Sequence, residues 1–98
     1  MIEQRERATV SPGSVPSLPK HIRIQFDPVR QAFAVLSPER IFWPNEISLD
    51  ILRRCDGRSD VAHIIADLAT EYEAPESEVA EDVIAFLQEW SDRLLVRL

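Results

Sequence analysis

A chain of 98 residues with 45% hydrophobic content can close one core and leaves little volume for a deep substrate cavity. Its net charge of −6 and pI near 4.8 oppose a polyphosphate partner unless basic residues gather on one face, and its single cysteine, Cys55, excludes an internal disulfide framework. No secretory leader opens the chain, and charged residues interrupt every apolar run short of the roughly 18 residues a membrane span needs, so a cytoplasmic protein without a membrane partner is expected.

Residues 1–19 hold Pro12, Pro16, Pro19, Gly13 and scattered serines, with neither a strand nor a helix period, and read as a disordered tail or linker ahead of a domain over 20–98. Strict alternation begins at His21: Ile22, Ile24 and Phe26 share one face, and His21, Arg23 and Gln25 the other, which predicts a half-buried strand. Asp27-Pro28 supplies a turn, and the alternating run from Gln31 to Leu36 completes a hairpin. Ser37-Pro38-Glu39 breaks the pattern before a third run, Ile41-Phe42-Trp43, which Pro44 ends. The missing N–H of that proline suits a sheet edge or strand end.

Asn45 is positioned as the N-cap of a first helix carrying Ser48, Ile51, Leu52 and Cys55 at helical spacing, with Asp56-Gly57 expected to end it. Ser59 is the expected cap of a second helix, whose Val61, Ile64, Ile65, Leu68, Ala69 and Tyr72 fit a helical face at every position. Ala74-Pro75 stops it, and Pro75, Glu76 and Glu78 suit the first turn of a third helix. Its apolar stripe runs through Val79, Val83, Phe86, Leu87, Trp90 and Leu94, broader than one packing contact requires. Leu94, Leu95, Val96 and Leu98 form an apolar end that packs back on the domain or adds a strand.

Catalytic chemistry finds few handholds. Cys55 falls on a buried helix register, and neither His21 nor His63 is placed to activate it or a serine. Cys55 with His63 matches no zinc spacing, and Gly13 and Gly57 alone make no phosphate loop. Glu81 and Asp82 are adjacent on a helix and point apart. No catalytic residue, metal or cofactor is expected. A winged helix binding DNA is the alternative among architectures, but the last helix offers Glu78, Glu81, Asp82 and Glu89 where phosphate contacts need Lys or Arg. A surface function remains. A short strand at a sheet edge can accept a peptide as an added strand, with the guest's alternate side chains entering an apolar groove beside Phe42, Trp43 and the last helix.

The strings Leu36-Ser37-Pro38-Glu39-Arg40, Asn45, Ile51-Leu52-Arg53-Arg54-Cys55-Asp56-Gly57 and Asp82-Val83-Ile84-Ala85-Phe86-Leu87 resemble, in combination and order, the PqqD family of pyrroloquinoline quinone biosynthesis. The resemblance runs from about residue 18 to the C-terminus. It implies an α+β, winged-helix-like fold of the kind called a RiPP recognition element, with a three-stranded antiparallel sheet followed by a three-helix bundle. It further implies a non-catalytic peptide chaperone that binds the leader of the PqqA precursor and presents it to the radical S-adenosylmethionine enzyme PqqE, with a PqqC domain, fused or free, as a further partner. Carried over by position, the guest strand would lie along Arg40, Ile41, Phe42 and Trp43 and beside Val83, Phe86, Leu87 and Trp90.

Overall fold

The computed structural model describes residues 8–98. In chain order it has three strands, β1 (Arg23–Asp27), β2 (Ala32–Leu36) and β3 (Ile41–Phe42), then three helices, α1 (Glu46–Arg53), α2 (Val61–Glu71) and α3 (Glu76–Asp92). The sheet is antiparallel in the order β1-β2-β3, an α+β fold with the strands ahead of the helices. Ile24 pairs with Val35 and Val35 with Phe42, so these residues share the face turned to the helices. Behind them Ile51, Leu52, Val61, Ile64, Leu68, Val83 and Leu87 are almost wholly shielded from solvent and join Val35 in one core.

Local chemistry explains most boundaries. In the hairpin, Asp27 Oδ1 accepts from the amides of Val29 and Arg30, and Gln31 takes the left-handed conformation that lets the chain re-enter β2. Asn45 caps α1 as expected, its Oδ1 accepting from the Ser48 amide at 2.9 Å. Helix α1 ends at Arg53, before the expected Asp56-Gly57 stop. Asp56 instead forms a turn of its own, accepting from the amides of Arg58 and Ser59, and Gly57 follows in the left-handed conformation (φ +76°) that favours glycine. The Ser59 hydroxyl is turned to Asp56 Oδ2 at 3.5 Å, and the cap of α2 is Asp60, not Ser59: its Oδ1 accepts from the His63 amide at 2.8 Å. Helix α2 ends in a Schellman arrangement, with Glu73 left-handed, the Ala74 amide on the Ala69 carbonyl and the Glu73 amide on that of Thr70. The end of α3 repeats it around Leu94.

The largest departure from expectation is at the N-terminal end. Residues 1–7 of the expected tail lie outside the described residues, but the stretch from 8 to 19 is built into the domain. Val10 and Pro16 are buried, and the Gln88 side chain on α3 donates to the Ala8 carbonyl and accepts from the Val10 amide. The carbonyls of Ser14 and Pro12 accept from the amides of Val61 and Ala62, first-turn donors of α2 that have no partner inside the helix. Ser17 exchanges main-chain hydrogen bonds with Arg97 at 2.7 and 2.8 Å, so the apolar C-terminal end is held by a single bridge, not a further strand. The segment lacks a period because it pairs through main-chain carbonyls that any residue supplies. Removing residues 1–16 is expected to cost roughly 2–4 kcal/mol of stability through the lost burial and capping, read as a lower urea midpoint. An unchanged midpoint would show the segment contributes nothing.

Candidate functional site

The site begins with a turn. Ser37-Pro38-Glu39-Arg40 closes tightly because the Ser37 amide donates to the Arg40 carbonyl at 2.9 Å while Ser37 Oγ accepts from the Arg40 amide and donates to the same carbonyl. That fixes the register of β3, with Leu36 opposite Ile41 and Val35 opposite Phe42. In an antiparallel pair, main-chain groups point alternately to and away from the partner strand. With Ser37 and Arg40 bonded, Phe42 is the next residue to face β2, and the N–H and C=O of Ile41, like those of Trp43, face the open side of the sheet. Pro44, without an N–H, limits that edge.

Beside the edge runs one face of α3. Phe86, Trp90 and Arg93 recur at helical spacing; the rings of Phe86 and Trp90 stack with centroids 4.9 Å apart, and Phe42 meets Trp90 at 5.4 Å, inclined by 50°. The Arg93 guanidinium carbon lies 5.1 Å from the Phe42 ring centroid and that of Arg40 lies 5.8 Å from it, so positive charge borders the aromatic cluster. Arg93 is absent from the apolar stripe by which the sequence marks this face. Its signal is its place three residues after Trp90.

The expected site residues therefore divide. Phe42, Phe86 and Trp90 come together, with Arg40 at their margin. Val83 and Leu87 do not join them: both are fully buried between α3 and the rest of the core and offer a guest no surface. Ile41 and Trp43 contribute their main chain to the edge, but strand alternation turns their side chains to the sheet face away from the helices, where they stay 59% and 43% exposed.

Elsewhere the chemistry is structural. Cys55 is buried, its Sγ 3.3 Å from the Ile51 carbonyl, and burial pushes the thiol up to about 12, so the nucleophilic thiolate is not populated at neutral pH. Cys55 in the folded chain is expected to resist an aromatic disulfide reagent for as long as the fold holds and to react at once in denaturant. Rapid reaction in native buffer would contradict its placement. Arg54 joins α1 to α2 through Asp67 at 2.8 Å and Glu71 at 2.6 Å; Asp67 is held below the usual carboxylate range first by the Arg54 hydrogen bond, then by its charge. Among the described residues no group of three or more His, Cys, Asp or Glu side chains is placed to hold a metal, and no helix is long and apolar enough to cross a membrane. Helix α3 exposes Glu76, Glu78, Glu81, Asp82 and Glu89, giving DNA binding no support.

A three-stranded sheet with an open edge beside an aromatic helix face defines a class of small α+β domain with the parts for strand addition. The family described as coenzyme PQQ synthesis protein D (PqqD) matches residues 33–96. A Rhodopseudomonas palustris (strain TIE-1) protein called PqqA binding protein is 47% identical over 87 residues, covering 89% of this chain and 85% of the relative. The solution structure of the PqqD truncation of Methylobacterium extorquens PqqCD, described as a functional, stand-alone RiPP recognition element, superposes with a TM-score of 0.80 at 29% identity, covering 96% of this chain and all of that one. The crystal structure of PqqD from Xanthomonas campestris gives a TM-score of 0.58 at 36% identity, over 92% of this chain and all of that one. The chain belongs to the PqqD family.

Proposed function

We propose that this chain binds the PqqA precursor peptide as a strand along the open edge of β3 and presents it to PqqE, without itself carrying out a reaction. The observation that carries this reading is the outward main chain of Ile41 and Trp43 beside the aromatic cluster of Phe42, Phe86 and Trp90. A guest strand hydrogen-bonds to the first and places alternate side chains in the second. Two guest side chains buried there contribute roughly 1.5–3 kcal/mol each, offset by the cost of ordering the peptide. Arg40 and Arg93 at the rim add attraction for carboxylates of the guest. The names of the relatives support PqqA as the guest, and the PqqCD origin of the Methylobacterium extorquens domain supports a PqqC domain as a further partner. The cytoplasm, where a ribosomal precursor is made, is the proposed compartment.

The test is a proline at the edge. Ile41→Pro removes an N–H that β2 does not use, so the chain is expected to fold with near-native circular dichroism. Loss of that hydrogen bond is expected to weaken PqqA binding by about tenfold, on the order of 1–1.5 kcal/mol. Native affinity in a folded Ile41→Pro chain would sink the strand-addition reading.

A further inference from the structure

The sheet face turned away from the helices holds a recess of about 200 Å³ lined by Gln25, Asp27, Ala34, Leu36, Ile41 and Trp43. We propose that this recess is a second docking surface, separate from the β3 edge groove, for an acidic polypeptide segment that inserts one large apolar side chain and sets a carboxylate against Arg30.

Three observations carry it. The first is exposed apolar area: Ile41 and Trp43, which both line this recess, are 59% and 43% exposed, two large apolar side chains side by side on one face. The second is size. The recess falls below the roughly 300 Å³ at which small-molecule sites begin, yet it is open and shallow enough for a single side chain carried by a polypeptide. The third is charge. The chain is acidic overall, but between Lys20 and Trp43 the basic residues Lys20, Arg23, Arg30 and Arg40 outnumber the acidic Asp27 and Glu39, whereas from Asp67 to Asp92 there is no Lys or Arg at all. Of these, Arg23 lies on the outward face, on the rung with Leu36 and Ile41. Arg30 stacks on Trp43 with its guanidinium carbon 4.6 Å from the ring centroid. Asp27 Oδ1 accepts from the amides of Val29 and Arg30, which leaves its charge on the recess wall against the two arginines, and neither Arg23 nor Arg30 has a carboxylate partner among the described residues. Contact with the indole face uses none of the Arg30 guanidinium N–H donors in a hydrogen bond, so they remain to fork onto a carboxylate. The recess and the aromatic groove lie on opposite faces of β3, so both can be filled at once.

The experiment uses the full chain with labelled backbone amides and three probes: the peptide acetyl-Asp-Glu-Phe-Glu-Asp-amide, its counterpart with lysine at every acidic position, and a short oligothymidylate. The acidic peptide is expected to shift the Trp43 indole N–H and the amides of Ala34 and Leu36, with at least fivefold weaker binding of the lysine peptide. Arg30→Glu is expected to reverse that preference while keeping the shifts that PqqA produces on α3, so that failure here is distinguishable from failure of the leader-binding reading. Equal binding of both peptides, preference for the oligonucleotide, shifts confined to Phe86 and Arg93, shifts that follow protein concentration without peptide, or no shifts at millimolar peptide would each overturn the proposal.

Discussion

Phe86→Ala is expected to weaken PqqA binding by about 10- to 100-fold, the 1.4–2.8 kcal/mol of a buried aromatic anchor, and to leave a folded protein. The argument rests on where Phe86 stands. Its ring stacks on Trp90 at 4.9 Å, and unlike Trp90 it keeps part of its surface open to solvent, where a guest can meet it. Trimming it removes an aromatic wall of the α3 face together with some packing on the margin of the core, which is why folding is checked alongside affinity. Isothermal titration with the precursor peptide, with circular dichroism as a check on folding, measures both halves. An unchanged affinity would place the guest elsewhere.

The neighbouring side chain predicts the opposite division. Leu87 is fully buried in the contact of α3 with the core, and Leu87→Ala is expected to cost about 2–5 kcal/mol of stability, lost transfer energy plus the cavity left behind. For a domain of this size that is a large fraction of the whole, since such folds are stable by roughly 5–15 kcal/mol. Chemical denaturation should show a much lower midpoint with a similar slope. At temperatures where the variant stays folded, its affinity for the peptide is expected to remain within a few-fold of native. Two adjacent residues of one stripe thus separate binding from stability.

That division also shows what an amino-acid sequence does and does not reveal. The alternation from Ile22 to Leu36 and the helical face of α2 are periodic because each element buries a single side, and both were legible. The Asn45 cap was legible for the same local reason. The stripe of α3 was legible as apolar, but width alone does not tell which of its residues meet the core and which meet solvent. Only packing assigns Val83 and Leu87 inward and leaves Phe86 at the surface. The choice of Asp60 over Ser59 as cap goes with the Ser59 hydroxyl being turned to Asp56, a competition between neighbours that propensity does not resolve. Residues 1–19 carry no period and so read as a tail, yet Pro12, Ser14, Pro16 and Ser17 dock through main-chain carbonyls that leave no imprint on side-chain pattern. The edge at Ile41–Phe42 was legible in outline, but strand alternation sends Ile41 and Trp43 to one face and Phe42 to the other, so a single expected groove became two surfaces.

The central claim is that the open edge of β3 and the aromatic face of α3 receive the same peptide, and amide shifts on titration with full-length PqqA test it most directly. Binding along the edge is expected to move the amides of Arg40, Ile41 and Trp43 together with those of Phe86, Trp90 and Arg93, all saturating at one peptide concentration. A saturating peptide that leaves both segments unmoved, or that moves only α1 and α2, would contradict it.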